Sequence, residues 1–159
     1  MKDLIITTKI QVYEIDKSNE EIKNLIAKAK EITQNAYSPY SKYAVGAAVL
    51  LDDGKIVSGS NQENAAYPSG LCAERTALFY SNSSYPNNTV KAIAIIAHYQ
   101  GDFVKSVCTP CGSCRQVIAE MESKQKSPIK IFMCSKDIVY EASSIKDLLP
   151  LSFDSSALD

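Results

Sequence analysis

The sequence contains one histidine and no tryptophan among its 159 residues. The single histidine, His98, excludes sites that need two imidazoles, such as the two-histidine helix of zinc proteases or a zinc finger with paired histidines. No apolar run approaches the ~20 residues that a membrane span requires. Residues 1–10 hold only Leu4 to Ile6 as an apolar run, too short for the core of a signal peptide. We therefore expect a cytoplasmic protein with no membrane partner.

An excess of charge of either sign is also absent. Lys and Arg number 17, Asp and Glu number 18, and the net charge is −1. This balance excludes a strongly basic protein whose affinity comes from neutralising the phosphates of a nucleic acid. Apolar residues make up 45% and charged residues 22%, as in ordinary globular proteins. A chain of this length can bury roughly two-thirds of its unfolded surface, so one packed domain is expected.

The five cysteines are an odd number. In a chain expected to remain in a reducing compartment, an odd count argues against a disulfide framework. The cysteines are therefore candidate metal ligands or nucleophiles. They are Cys72, Cys108, Cys111, Cys114 and Cys134.

Capping and turn signals divide the chain into helices and strands. Ser18 and Glu21 resemble a capping box before an amphipathic helix that ends near Asn35. Two further helices are predicted to start at Cys72 and Cys111, each after a proline-containing turn. Five strands are predicted, over residues 45–51, 56–61, 90–97, 128–133 and 137–141.

This order of elements predicts an α/β fold, a three-layer α/β/α sandwich with a central mixed five-stranded sheet. Ser144 begins a last short helix, which Pro150 stops. Residues 18–153 are expected to form a single catalytic domain. A lead-in of residues 1–17, with only a weak strand signal, precedes it, and a free polar tail of residues 154–159 follows.

Two cysteine motifs carry the chemistry. Cys72 opens the segment Cys-Ala-Glu-Arg, and Cys111 and Cys114 form a Cys-x-x-Cys pair. Each motif stands at the first turn of a predicted helix, where free amides stabilise a thiolate and lower its pKa. Three thiolates suit a catalytic zinc ion, which keeps an open position, whereas structural zinc has four ligands. Glu74, two residues after Cys72, is placed to face that open position.

The same set occurs in zinc deaminases, which pair three such ligands with a glutamate that moves protons without binding the metal. The chain resembles the cytidine deaminase family over residues 18–153, through segments that follow one another in the family's order. These are residues 38–48, 61–67, 70–75, 110–116 and 148–153. The resemblance implies a cytidine deaminase-like fold and a small homotetrameric enzyme. Its reaction would convert cytidine and 2′-deoxycytidine to uridine and 2′-deoxyuridine.

The resemblance also implies a metal centre with one Zn²⁺ per subunit. Cys72, Cys111 and Cys114 would bind the ion, and Glu74 would transfer protons. Arg75 follows the glutamate directly. A guanidinium hydrogen-bonded to a ligand sulfur would offset the negative charge of three thiolates and help to lower the pKa of the bound water.

Substrate contacts follow from the same resemblance. Asn61 and Glu63 would hold the 3′-hydroxyl of the sugar, which an amide and a carboxylate can meet as donor and acceptor. Backbone groups of Ala73 would meet the pyrimidine edge. Tyr67 would contribute at a contact between subunits, or alternatively only pack beneath the second helix. Phe153 would cover the pyrimidine pocket of a neighbouring subunit.

Two positions depart from the family's pattern. Tyr43-Ala44 stands where the family usually has phenylalanine, often followed by proline. The aromatic ring against the substrate is retained, but the added hydroxyl needs a partner or water. Ser113 stands where alanine is common within Cys-x-x-Cys, a change that we expect to be silent.

Other interpretations of the cysteines stay open. A closed structural zinc site would add Cys108 as a fourth ligand, although Thr109-Pro110 separates it from the helix. Cys111 and Cys114 could instead form a thioredoxin-like redox motif, but that interpretation does not explain Cys72 and Glu74.

Rival functions stay open as well. Deaminases of free bases, nucleoside antibiotics or polynucleotides are alternatives, as is a binding module in which Glu74 is idle. Near-neutral charge weighs against nucleic acid, and the pair Asn61 and Glu63 weighs against a free base. Phe153 would alternatively only attach the tail to its own subunit.

Overall fold

A computed structural model describes residues 1–154 and contains one mixed sheet of seven strands. The strand order is β1-β7-β6-β4-β2-β3, and β5 pairs with β4. The β4–β6 pair is parallel and the other pairs are antiparallel. The strands are β1 (Ile10–Glu14), β2 (Ala44–Leu51), β3 (Ile56–Ser60), β4 (Val90–Tyr99), β5 (Asp102–Phe103), β6 (Lys130–Cys134) and β7 (Ile138–Ala142).

Three α-helices cover the two faces of the sheet: α1 (Glu20–Ile32), α2 (Ala73–Ser84) and α3 (Gly112–Gln125). Buried residues of α1, including Leu25 and Ile26, pack on one face. Buried residues of α2 and α3, including Leu78 and Ile118, pack on the other. Strand β4 is buried along most of its length and contributes side chains to both cores, as the nearly continuous apolar run predicts. The predicted α/β/α sandwich is confirmed.

The sheet has two strands more than the five expected. Strand β1 comes from the lead-in and pairs along its full length with β7. Its Tyr13 hydroxyl donates a hydrogen bond of 2.5 Å to Oε2 of Glu141. Strand β5 is a two-residue addition to β4, formed by a tight turn in which Gln100 and Gly101 both have positive φ. None of the five residues of β1 is buried, and β5 has only two residues, so neither strand shows a clear apolar pattern in the sequence.

Some predicted ends differ from the structure. Asn19, and not Ser18, is the N-cap of α1, because its side chain accepts the backbone N–H of Ile22 at 2.9 Å. The expected last helix is a single 3₁₀ turn, Ile145–Asp147. Asp154, predicted to start a free tail, is partly buried and has an interaction partner, while residues 155–159 lie outside the described part.

Helix α2 lies very close to strand β3. A Cβ built on Gly59 would be 2.6 Å from the backbone nitrogen of Ala77 and 3.0 Å from the carbonyl oxygen of Ala73. Only glycine permits this approach. The approach places the start of α2, with Cys72, beside the end of β3, with Asn61.

Within the described residues, no helix combines the length and the hydrophobicity that a membrane crossing needs.

Candidate active site

The N-termini of two helices bring three cysteine side chains together. Cys72 and Cys111 are the N-cap residues of α2 and α3, both with extended backbone angles. Cys114 lies in the first turn of α3 and is fully buried. The prediction that each motif opens a helix is confirmed. The partial positive charge of the helix ends favours thiolates at this point.

The three sulfurs are spaced as ligands of one tetrahedral ion. The Sγ atoms of Cys111 and Cys114 are 3.5 Å apart, those of Cys72 and Cys111 are 3.9 Å apart, and all three lie within 4.8 Å of one another. Zinc–sulfur bonds of about 2.3 Å in tetrahedral geometry separate two sulfurs by about 3.8 Å. Among residues 1–154, no other cysteine, histidine or acidic side chain joins a cluster of this kind. The donor set fits zinc with three thiolates and one open position.

Cys72 is the cysteine of this cluster that loses its proton most readily. Hydrogen bonds from Cys114, Arg75 and Cys111 lower the pKa of Cys72 to about 5, the contact with Cys114 having the largest effect. The Nη2 atom of Arg75 donates to the Cys72 sulfur at 3.5 Å. The pKa of Cys114 is raised, because its thiol is bonded to the Cys72 sulfur and is buried. A divalent cation would replace these shared protons as the partner of the sulfurs.

Glu74 is a buried carboxyl group beside the cluster. It is the second residue of α2, and only 4% of it is exposed. Burial raises its pKa, and the charge of Cys72 adds to the effect. A carboxyl group whose pKa is raised toward neutrality can take up and return a proton during one reaction.

A cavity of about 340 Å³ opens between the cysteine cluster and the ends of the strands. Glu74, Ala73, Cys72 and Cys111 form its metal side. The remaining wall consists of Tyr43, Val45, Asn61, Val107, Cys108 and Thr109. The cavity therefore joins a candidate metal site, a candidate proton carrier and a candidate sugar contact.

Two hydrogen bonds hold the side chain of Asn61 in the wall of this cavity. Its Oδ1 accepts the backbone N–H of Val45 at 2.8 Å, and its Nδ2 donates to the carbonyl oxygen of Tyr43 at 2.9 Å. These bonds tie the end of β3 to the start of β2. One amide N–H and one acceptor position remain for a substrate. The sequence predicted that Asn61 contacts the substrate, but it did not predict these hydrogen bonds to the backbone at the start of β2.

Glu63 organises the loop before β2. Its Oε2 accepts the backbone N–H groups of Tyr40 at 2.9 Å and Ser41 at 3.3 Å. Hydrogen bonds from the Ser41 side chain and from these amides hold the pKa of Glu63 below its usual value. Glu63 lines a second cavity of about 580 Å³, which shares Asn61 and Cys72 with the first.

Comparison with known proteins identifies the family. Residues 19–127 match the family model described as the cytidine and deoxycytidylate deaminase zinc-binding region. The cytidine deaminase of Sporosarcina psychrophila is 41% identical over 138 residues, which cover 87% of this chain and 95% of that protein. The chain belongs to the cytidine deaminase family. The resemblance inferred from its motifs is confirmed.

Two more members of the cytidine deaminase family support the assignment. The cytidine deaminase of Halalkalibacterium halodurans is 39% identical over 129 residues, which cover 81% of this chain and 91% of that protein. The crystal structure of cytidine deaminase from Burkholderia pseudomallei has a TM-score of 0.69 and 37% identity, covering 82% of this chain and 98% of that one. The family's zinc-binding region and the three-cysteine cluster agree on zinc as the cofactor.

Of the remaining predicted site residues, three line one of the two cavities and one lines neither. Tyr43 and Ala73 line the smaller cavity, and Tyr67 lines the larger one, where its ring meets that of Tyr40 edge-on at 6.0 Å. Phe153 lines neither cavity. Its side chain is 62% exposed, and its carbonyl oxygen accepts a hydrogen bond of 2.8 Å from Gln116.

Sequence reasoning missed part of the cavity wall. Cys108 was considered only as a fourth zinc ligand, and it lies outside the three-sulfur cluster. It faces the cavity together with Val107 and Thr109. In the sequence, Cys108 is only a cysteine that precedes the Cys-x-x-Cys motif by three residues. Such a cysteine is as compatible with a metal ligand as with a residue of the cavity wall. Only the fold separates the two interpretations.

Proposed function

We propose that this protein deaminates cytidine and 2′-deoxycytidine by hydrolysis, giving uridine or 2′-deoxyuridine and ammonia, as an enzyme of pyrimidine salvage. One observation carries the proposal. Three cysteine sulfurs from two helix N-termini lie within 4.8 Å of one another, and the buried Glu74 lines the adjoining cavity. The names of the similar proteins, cytidine deaminases, support the nucleoside as substrate.

In this proposal Cys72, Cys111 and Cys114 hold one Zn²⁺ per subunit. When bound, the ion supplies a Lewis acid that lowers the pKa of a water molecule toward neutrality. Arg75 offsets the charge of the thiolates through its bond to the Cys72 sulfur. The two helix N-termini act in the same direction.

Glu74 carries the protons. It accepts a proton from the attacking water and delivers one to N3 of the pyrimidine, while the water oxygen forms a bond to C4. In the resulting tetrahedral intermediate, Glu74 takes the proton of the new C4 hydroxyl and transfers it to the exocyclic amine. The C4–N bond then breaks as the C4–O bond becomes a carbonyl, and ammonia leaves. The raised pKa of the buried carboxyl group suits one residue to act as base and then as acid.

The sugar and base contacts surround this centre. Asn61 and Glu63 bind the 3′-hydroxyl, the first with its remaining amide groups and the second with its carboxylate. Ala73, the first residue of α2, offers backbone groups to the pyrimidine edge. Tyr43 places its aromatic ring against the substrate. The support is that Tyr43, Ala73 and Asn61 share one cavity with Glu74.

A homotetramer completes the site in this proposal. Phe153 covers the pyrimidine pocket of a neighbouring subunit, and Tyr67 lines the substrate site at a contact between subunits. The support is their exposure, 62% and 75%, which leaves both rings available to a neighbouring subunit. A ring that stacks on the base excludes water and stabilises the complex by about 1 kcal/mol.

Residues 18–153 form the catalytic domain in this proposal, and the lead-in of residues 1–17 adds strand β1 to its sheet. The enzyme works in the cytoplasm. All five cysteines are free thiols, and the three that face one another would be lost as ligands if they were oxidised.

The test is ammonia release by the purified zinc-loaded enzyme. We expect release from cytidine and 2′-deoxycytidine, and none from cytosine, adenosine or single-stranded DNA. Cytosine as the better substrate would indicate a free-base deaminase, and no release from any of them would indicate a binding module. Glu74→Ala serves as the inactive control for contaminating deaminases.

A further inference from the structure

The C-terminal segment, residues 148–153, is fastened to the start of α3 at both of its ends. The Nη1 atom of Arg115 donates a hydrogen bond of 2.8 Å to the carbonyl oxygen of Leu148. The Nε2 atom of Gln116 donates a hydrogen bond of 2.8 Å to the carbonyl oxygen of Phe153. Two neighbouring side chains of one helix therefore hold the first and the last residue of this segment.

Burial holds only the first part of the C-terminal segment. Leu148 and Leu149 are partly buried and pack against the core beneath α2 and α3. After Pro150 the side chains turn to solvent, and Leu151 and Phe153 are 74% and 62% exposed. Packing therefore does little to fix Phe153, whereas its backbone carbonyl group is held by Gln116.

Gln116 stands on a well-anchored part of α3. The helix begins at Cys111, its N-cap residue, and Cys114 in its first turn is fully buried. Arg115 adds a hydrogen bond of 2.9 Å from Nε to the carbonyl oxygen of Pro110, directly before the helix. Gln116 thus joins the helix that carries two proposed zinc ligands to the aromatic residue proposed to cover a neighbouring pocket.

We propose that Gln116 is a positioning residue that holds the backbone of Phe153 so that its ring reaches the pyrimidine pocket of a neighbouring subunit. The proposal rests on the proposed function, in which this ring stacks on the base. Without the hydrogen bond, the exposed end of the segment would adopt many conformations. Ordering it again for each nucleoside would then reduce the affinity.

The first experiment measures cytidine kinetics of the zinc-loaded wild type, Gln116→Met and Gln116→Lys. Methionine is similar in length to glutamine but cannot donate, so we expect KM to rise about threefold with kcat changed less than twofold, the effect of one exposed hydrogen bond. Lysine restores an N–H donor and should return KM to within about twofold of the wild type. Gln34→Met is the matched control at an exposed glutamine that lines neither cavity, and it should leave KM unchanged.

A double-mutant cycle with Phe153→Ala tests whether Gln116 acts through Phe153. In Phe153→Ala there is no ring to position, so adding Gln116→Met should not raise KM further. Two effects that multiply would overturn the proposal, as would a KM that Phe153→Ala raises and Gln116→Met leaves unchanged. Loss of zinc from Gln116→Met would also overturn it, because Gln116 would then act on the metal centre.

A fluorescence measurement separates this proposal from the proposed function. The chain contains no tryptophan, so Phe153→Trp introduces a single reporter at the end of the segment. Adding Gln116→Met to this variant should lower the fluorescence anisotropy and increase quenching by acrylamide, because the indole becomes more mobile and more accessible.

The two readouts fail independently. If the wild type does not deaminate cytidine, the proposed function is wrong, and the fluorescence changes then still support Gln116 as the residue that holds the end of the segment. Anisotropy and quenching that Gln116→Met leaves unchanged would overturn the proposal, whether or not the wild type deaminates cytidine.

Discussion

The guanidinium group of Arg75 donates a hydrogen bond to the sulfur of Cys72, with Nη2 and Sγ 3.5 Å apart. The two residues stand three apart at the start of α2, so one helical turn places the cation over the thiolate. This contact raises the pKa of Arg75 and adds to the larger effect of Cys114 in lowering the pKa of Cys72, so each group favours the charged form of the other. The helix thus supplies both a ligand and the charge that offsets it.

Arg75→Gln should weaken zinc binding about tenfold, because groups bonded to a metal ligand typically contribute 10- to 100-fold to metal affinity. The measurement is competition with a zinc chelator of known affinity. Arg115→Gln is the comparison, since Arg115 donates to the carbonyl oxygens of Pro110 and Leu148 and to no cysteine sulfur in the described part of the chain. Equal zinc affinity in wild type and Arg75→Gln would contradict the prediction.

Glu74→Gln should bind zinc and fold as the wild type does, yet lose most of its turnover. An amide keeps the shape of the carboxyl group but cannot carry the protons. We expect kcat to fall at least ~10²-fold, within the range general acid–base groups supply. Metal content and circular dichroism serve as controls. A fall of less than about tenfold would make the proton-transfer role untenable.

Zinc removal should expose one cysteine to reagents before the others. The pKa of Cys72 is lowered to about 5, whereas burial raises the pKa of Cys108 and Cys134 to about 12. After chelation at pH 7, iodoacetamide should modify Cys72 first and Cys108 and Cys134 last, because the thiolate is the nucleophile. Peptide mass spectrometry before and after chelation measures the order.

The same experiment decides between three and four zinc ligands. A Cys108 that zinc protects, and that reacts quickly once the metal is removed, would favour the closed four-cysteine site. Zinc analysis of Cys108→Ala provides an independent check. We expect one zinc per subunit to be retained in this variant and to be lost in Cys72→Ala.

Phe153→Ala should raise the KM for cytidine without changing zinc content, because the exposed ring is proposed to cover a neighbouring subunit's pocket. The expected rise is about fivefold, the effect of one aromatic stacking contact. Leu151→Ala is the matched control, an apolar residue of the same segment that is 74% exposed. Sedimentation reports the oligomer. An unchanged KM together with an intact oligomer would show that Phe153 serves only its own subunit.

The chemistry of the site was readable from local patterns. Cys72, Cys111 and Cys114 stand at helix starts that their neighbours define, and Glu74 follows a ligand by two residues. A helix N-terminus and a Cys-x-x-Cys pair are determined over a few residues, so their geometry is present in the sequence itself. The order of the helices and central strands followed from hydrophobic periodicity for the same reason.

The outer strands of the sheet depended on distant partners. Strand β1 has little pattern of its own, and its place is decided by the edge of β7 and by the bond between Tyr13 and Glu141. A short strand gains its stability from the neighbour that completes its hydrogen bonds, and that neighbour lies far along the chain.

The amino-acid sequence alone determined which residues form the candidate metal centre, since helix-start signals and ligand spacing act between near neighbours. The tertiary structure decided what surrounds that centre. It showed that Asn61 ties together the backbone of Tyr43 and Val45, and that Cys108 lines the cavity and lies outside the three-cysteine cluster. These contacts join segments remote in sequence, and only the packing of α2 and α3 against one face of the sheet brings them into reach.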